Sequence, residues 1–187
     1  MNGRPYLKIR SDHSQVGFAL LQEVEEWFDL TQPGFRPVIS FTSQGSYEPF
    51  SFAVGRTVEA QASASQTPGR ETIEIVLNVH FNGIGLDIPA TFIGIYERPS
   101  GARAFSIRRA YSDPDRRTAI PTEDLEGLGG PDLDKLSNER LVFYALSGLQ
   151  TIASGSDEEA RQWLKLVLEH VRDTPEKRAL LDLLRRR

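Results

Sequence analysis

An α+β fold is what the sequence predicts: an N-terminal helix, an antiparallel meander sheet of about five strands, and two to three C-terminal helices. Three observations carry this expectation. Asn82 and Gly83 separate two runs of alternating apolar residues, the pattern of a β-hairpin. Val16, Leu20, Val24, Trp27 and Phe28 recur at the spacing of one helix face. Beyond residue 131 the apolar period turns helical and stays so to the end. The chain reads as one domain over 1–187, with a sheet part over 1–112, a loop over 113–131 and a helical part over 132–187.

Composition sets the class. At 187 residues and 21.0 kDa the chain is long enough to bury roughly 70% of its unfolded surface. Apolar residues at 39% and charged residues at 26% are interleaved as in globular proteins. The absence of cysteine excludes disulfides and thiol chemistry, and fits a reducing, cytoplasmic compartment. Residues 1–14 carry Arg4, Lys8, Arg10, Asp12 and His13 and no apolar leader core. Charges interrupt every apolar stretch before the roughly 20 residues a bilayer span needs, so a soluble protein without a membrane role is expected. A net charge of −4 argues against nucleic acid as a partner of the whole molecule.

The elements follow in order. A helix is expected from about Asp12 to Asp29, with Asp12 as N-cap and Gln22, Glu23, Glu25, Glu26 and Asp29 on its solvated side. Gln32, Pro33 and Gly34 end it. Strands are expected at Val38 to Thr42 and Glu48 to Val58 around a turn at Ser43 to Ser46, with Phe50, Phe52, Val54 and Val58 inward. Glu59 to Arg70, small and polar, reads as a weak strand extension or a loop. In the hairpin a type I′ turn at Asn82 and Gly83 pairs Phe81 with Ile84, Val79 with Leu86, Leu77 with Ile88, Ile75 with Ala90 and Ile73 with Phe92. On the other face it sets Asn78 across from Asp87 and His80 across from Gly85. Pro89 requires the strand beyond to end or bulge there. A turn at Arg98 to Gly101 leads into a strand over Ala102 to Tyr111.

Residues 113–131 read as a connection with one helical turn at Thr122 to Leu125. Helices are expected from Asp132 or Asp134 to about Ala153, after the Ser156 and Glu159 capping box, and after Thr174 and Pro175.

Few residues suggest chemistry. His13, His80 and His170 are far apart in sequence and form no metal-ligand spacing, so no metal or cofactor is expected. Asn78, His80 and Asp87 would gather on the outer hairpin face, where a carboxylate can orient an imidazole as a general base; the ordinary reading is a solvated sheet face. Between Arg98 and Arg117 six arginines stand against two acids, and Arg103, Arg108 and Arg109 could hold an anion or RNA. The strand parity splits them between faces, and pairing with neighbouring acids is the plainer reading. No nucleophile or phosphate-loop motif occurs, which leans against an enzyme. Val76, Ile93 and Ile95 make the outer face more apolar than solvent requires, and Leu180, Leu183 and Leu184 line the last helix. Both are candidate interfaces with a protein partner or a second copy.

The expected order of helix, antiparallel strands and helix is similar to that of bacterial type III secretion chaperone-like domains, a likeness of element order that touches no motif. It implies a self-associating adaptor or chaperone-like interaction module. The alternatives are a small-molecule-binding protein or hydrolase with a pocket between sheet and helices, and an anion or RNA binder using Arg98 to Arg117.

Overall fold

Period-two alternation runs further through this chain than its turn residues suggest. The structure, a computed structural model, describes residues 5–14, 20–47, 55–83 and 86–129, with 140, 173, 178, 181 and 182 beyond them. The strands are β1 (Tyr6–Asp12), β2 (Leu20–Asp29), β3 (Ile39–Tyr47), β4 (Gly55–Thr67), β5 (Arg70–Gly83), β6 (Leu86–Pro99), β7 (Ser106–Tyr111) and β8 (Ala119–Ile120). They pair antiparallel in sequential order as one eight-stranded sheet. One short helix with a described range, α1 (Thr122–Gly129), follows, and the isolated described positions 140, 178, 181 and 182 are helical. This corrects the expected α+β arrangement of about five strands and flanking helices, and with it the likeness to secretion chaperones.

The N-terminal helix is replaced by the β1–β2 pair, in which Tyr6 meets Asp29, Lys8 meets Trp27 and Arg10 meets Glu25. Glu25, Trp27 and Asp29 alternate into the interior, and all three are buried. Two acids that a helix would have left in water are therefore charge partners within the fold. Val16 lies outside the described residues. Ser43 to Ser46, expected as a turn, belong to β3; the extra residue there is a bulge, since Glu23 pairs with Gln44 and Val24 with Thr42. Phe50, Phe52 and Val54 lie outside the described residues. Glu59 to Thr67 is regular strand, turned into β5 by Gly69 at φ +80°. The helices expected over 132–187, with Leu180, Leu183 and Leu184, fall outside the described residues except for the five positions named above.

The β5–β6 hairpin is correct in its faces and displaced in its register. Phe81 pairs with Ile88, Val79 with Ala90, Leu77 with Phe92, Ile75 with Gly94 and Ile73 with Tyr96, and the last pair is Gly83 with Leu86. Asn82 and Gly83 are thus strand residues. The displacement is by four positions, an even number, so the inward face of Ile73, Ile75, Leu77, Val79, Phe81 and Phe92, all buried, is kept. Two features favour this register. It places Glu71 directly opposite Arg98, a buried ion pair, and it puts Gly94 opposite Ile75 where α1 needs room. β7 pairs with β6 only from Ile93 to Glu97, so among the described residues no strand pairs with Pro89 on that side, which suits its missing N–H.

The sheet curls until its first strands reach its last. The amide of Phe105, just before β7, donates to the carbonyl of Val38, just before β3, at 2.8 Å. One apolar cluster fills the curl, from Trp27, Ile39 and Tyr47 through Val58, Ile73, Ile75, Val79, Phe81 and Phe92 to Leu125 and Leu128 of α1. Phe81 and Phe92 meet edge to face at 6.2 Å. On each wall a tyrosine folds back over the glycine two residues before it. A Cβ at Gly45 would lie 2.7 Å from the Tyr47 ring. One at Gly94 would lie 2.9 Å from the Tyr96 ring and inside contact distance of Leu125.

Candidate functional site

α1 lies across the mouth of the curl, touching β3 on one wall and β6 and β7 on the other. Glu123 and Asp124 in its first turn suit the positive end of its dipole. The sheet satisfies its other end. Arg56 donates from Nε to the Leu128 carbonyl at 2.9 Å and from Nη2 to the Gly127 carbonyl at 2.8 Å. The Tyr47 hydroxyl donates to the Gly129 carbonyl at 3.0 Å. These are the carbonyls that a helix end leaves unpaired. The Arg56 guanidinium sits 4.3 Å from the centre of the Tyr47 ring. Burial pushes Arg56 down to about 10, against the opposing pull of Tyr47, and leaves it charged at neutral pH. Asp124, buried at the start of α1, is ion-paired with Arg140.

Beneath α1 the two walls do not meet. They leave a cleft of about 390 Å³ lined by Gln22, Val24, Ser40, Phe41 and Thr42 on one side, Ile75, Leu77 and Tyr96 on the other, and Leu125, Glu126 and Gly129 above. Gln22 and Thr42 are buried polar residues joined by a 2.8 Å hydrogen bond from the Gln22 amide nitrogen to the Thr42 hydroxyl. The Thr42 and Tyr47 hydroxyls lie 3.5 Å apart. Because the Tyr47 proton goes to Gly129, the Thr42 proton is the one left to bridge them. A hydrogen-bonded chain thus runs from Gln22 to the end of α1. Neither the Gln22 side-chain carbonyl nor the Tyr96 hydroxyl has a hydrogen-bond partner among the described residues. Burial, with a smaller contribution from Glu126, pushes Tyr96 up to about 12, so its hydroxyl keeps its proton.

The opposite end of the curl is closed by charge. Arg98 donates from Nε to Glu71 at 2.6 Å and from Nη2 to Asp29 at 2.8 Å and to the Tyr6 hydroxyl at 2.9 Å. Tyr6 donates in turn to Glu71 at 3.2 Å, and the guanidinium packs 4.9 Å from the centre of the Phe105 ring. Burial above all, with Glu71 and Asp29 adding and Arg98 opposing, pushes Tyr6 up to about 12. Four strands and the segment before β7 are tied at this point. Arg98 Nη1 is buried without a hydrogen-bond partner among the described residues.

Comparison with known proteins gives no match to a family model, to a curated protein or to a solved structure. The assignment of a site rests on this geometry.

The structure does not assemble the expected polar trio as drawn from the Asn-Gly turn. Asn78 faces Thr91, whose hydroxyl donates to it at 3.3 Å. His80 faces Pro89, and Asp87 is opposite Asn82. Asn78 and His80 instead share an open groove of about 640 Å³ on the outer face of β2 to β5 with Asp12, Glu23, Glu59 and Gln44. No group of three or more metal-ligating side chains occurs among the described residues. Arg103, Arg108 and Arg109 are exposed and do not converge. Arg108 is the bulged residue between the pairs Ile95–Arg109 and Tyr96–Ile107, while Arg109 lies 4.0 Å from Glu97. Arg116 is paired with Glu74. Of the candidate outer-face interface, Ile93 is buried and Val76 and Ile95 are half-buried. The cleft residues went unsuspected, although Gly45-Ser46-Tyr47 and Gly94-Ile95-Tyr96 offered a repeated local signal.

Proposed function

We propose that this protein binds a small molecule in the cleft between α1 and the concave face of the curled sheet. The observation that carries the reading is a cavity of about 390 Å³, within the range of ligand pockets, in which apolar walls surround a few polar atoms that have no hydrogen-bond partner among the described residues. Val24, Phe41, Ile75, Leu77 and Leu125 supply area, and Gln22 and Tyr96 supply direction. Binding without turnover is favoured, because the described lining holds one carboxylate and one phenol and no nucleophile set against a base. No helix among the described residues is long and apolar enough to cross a membrane.

Association through the sheet is less well supported. The outer-face apolar residues are already at least half covered. The edge strand β1 turns Lys8 and Arg10 toward the core side, with the Lys8 ammonium 3.9 Å from the centre of the Trp27 ring. Inward-facing charge on an edge strand opposes pairing with another sheet.

The test is a thermal-shift screen of a small-molecule library against the wild type and Val24→Trp, which fills the cleft. A ligand at about 100 times its Kd should raise Tm by roughly 5–10 °C in the wild type alone. A library with no hit, or hits unaffected by Val24→Trp, contradicts the reading.

A further inference from the structure

The cleft also has a charge preference. Its described lining contains no lysine or arginine, and its one ionisable group besides Tyr96 is Glu126, exposed on α1 at the mouth. The Gln22 carbonyl oxygen, without a partner among the described residues, can only accept, and the Glu126 carboxylate can only accept. The donors without a partner among the described residues are the Tyr96 hydroxyl, the Ser40 hydroxyl and the second N–H of the Gln22 amide. An anion entering here would lose water with no cation of the described lining to meet it and would face Glu126, which is a costly arrangement. A ligand bearing N–H groups matches both acceptors. Phe41 stands on one wall and the Tyr96 ring, close over Gly94, on the other, so an aromatic ring is the apolar body that suits the space.

We propose that the cleft takes a small aromatic amine of about 12 to 15 non-hydrogen atoms, its ring between the walls bearing Phe41 and Tyr96 and its ammonium toward Glu126. The proposal rests on the cleft being a ligand site, as argued above, and names the class of ligand.

Three indoles of similar size separate the charge states: tryptamine (cation), tryptophol (neutral) and indole-3-propionate (anion). Titration calorimetry is the readout, because the indoles obscure Trp27 fluorescence. Tryptamine should bind the wild type roughly tenfold more tightly than indole-3-propionate, with tryptophol between, and added salt should narrow the gap. Glu126→Gln, a change at an exposed position, should reduce the difference to within about threefold. Equal or preferred binding of the acid, a preference for the amine that survives Glu126→Gln, or no binding of any of the three overturns the proposal. If anionic library hits bind the wild type and vanish in Val24→Trp, the cleft stands as the site and only the ligand class falls.

Discussion

Arg98→Met probes the closure of the curl. Three acceptors in the interior depend on this one guanidinium, whose side chain is 2% exposed, with Asp29 at 0% and Glu71 at 13%. Removing the cation leaves two buried carboxylates, and breaking a buried ion pair costs about 3–5 kcal/mol. Some compensation exists. Asp29 still accepts from the amide and hydroxyl of Thr31 at 2.9 and 2.6 Å, and Glu71 keeps the Tyr6 hydroxyl. The lower part of the range, about 3 kcal/mol, is therefore expected. With a urea m-value of about 2 kcal/mol/M, the unfolding midpoint should fall by about 1.5 M. The triple change Arg98→Met, Asp29→Asn, Glu71→Gln removes the stranded charge and should recover most of the loss. A loss under about 1 kcal/mol for the single variant, or a triple variant no better than the single, would refute the reasoning.

Three further outcomes follow from the same geometry. Gly94→Ala should cost about 1–3 kcal/mol by overpacking, read by urea unfolding, and adding Leu125→Ala should recover only part, because the Tyr96 ring is also in the way. Gly69→Ala, at φ +80°, should cost about 1–2 kcal/mol, and Gly83→Ala, a strand position, should cost less; the reverse order would restore the Asn-Gly turn. Burial resists charge on Glu25, but hydrogen bonds from the Trp27 indole and Arg10 outweigh it and hold its carboxyl below the usual glutamate range. Its folded value lies under its unfolded one, so the stabilisation is whole above the unfolded value and is lost as pH falls through the folded value. The stability difference between wild type and Glu25→Gln should vanish over that acidic window, with a matching change in Trp27 emission in a Trp163→Phe background.

Much of the sheet was legible in the sequence, and the errors have physical causes. The alternation of Ile73, Ile75, Leu77, Val79 and Phe81 identified the interior face whatever the partner, because any even displacement preserves parity. The register is displaced because the local turn preference of Asn82 and Gly83 is worth little beside a buried ion pair between Glu71 and Arg98 and the space Gly94 leaves for Leu125. The segment ending at Phe28 satisfies helical spacing through Val24, Trp27 and Phe28, and also strand alternation through Glu25, Trp27 and Asp29. The second pattern was hidden because two of its three members are acids, whose partners Arg10 and Arg98 are identifiable only once the strands are paired. The cleft was not legible for the same reason: Gln22, Thr42, Tyr96 and Glu126 are brought together by curvature, which no single strand encodes.

The cleft exists because the first strands meet the last. The most direct test is the scalar coupling across the hydrogen bond from the Phe105 amide to the Val38 carbonyl, measured by NMR on labelled protein. Closure predicts that the coupling is present and that the Phe105 amide is protected from exchange. An unprotected Phe105 amide with no coupling to Val38 would mean an open sheet, with no cleft beneath α1.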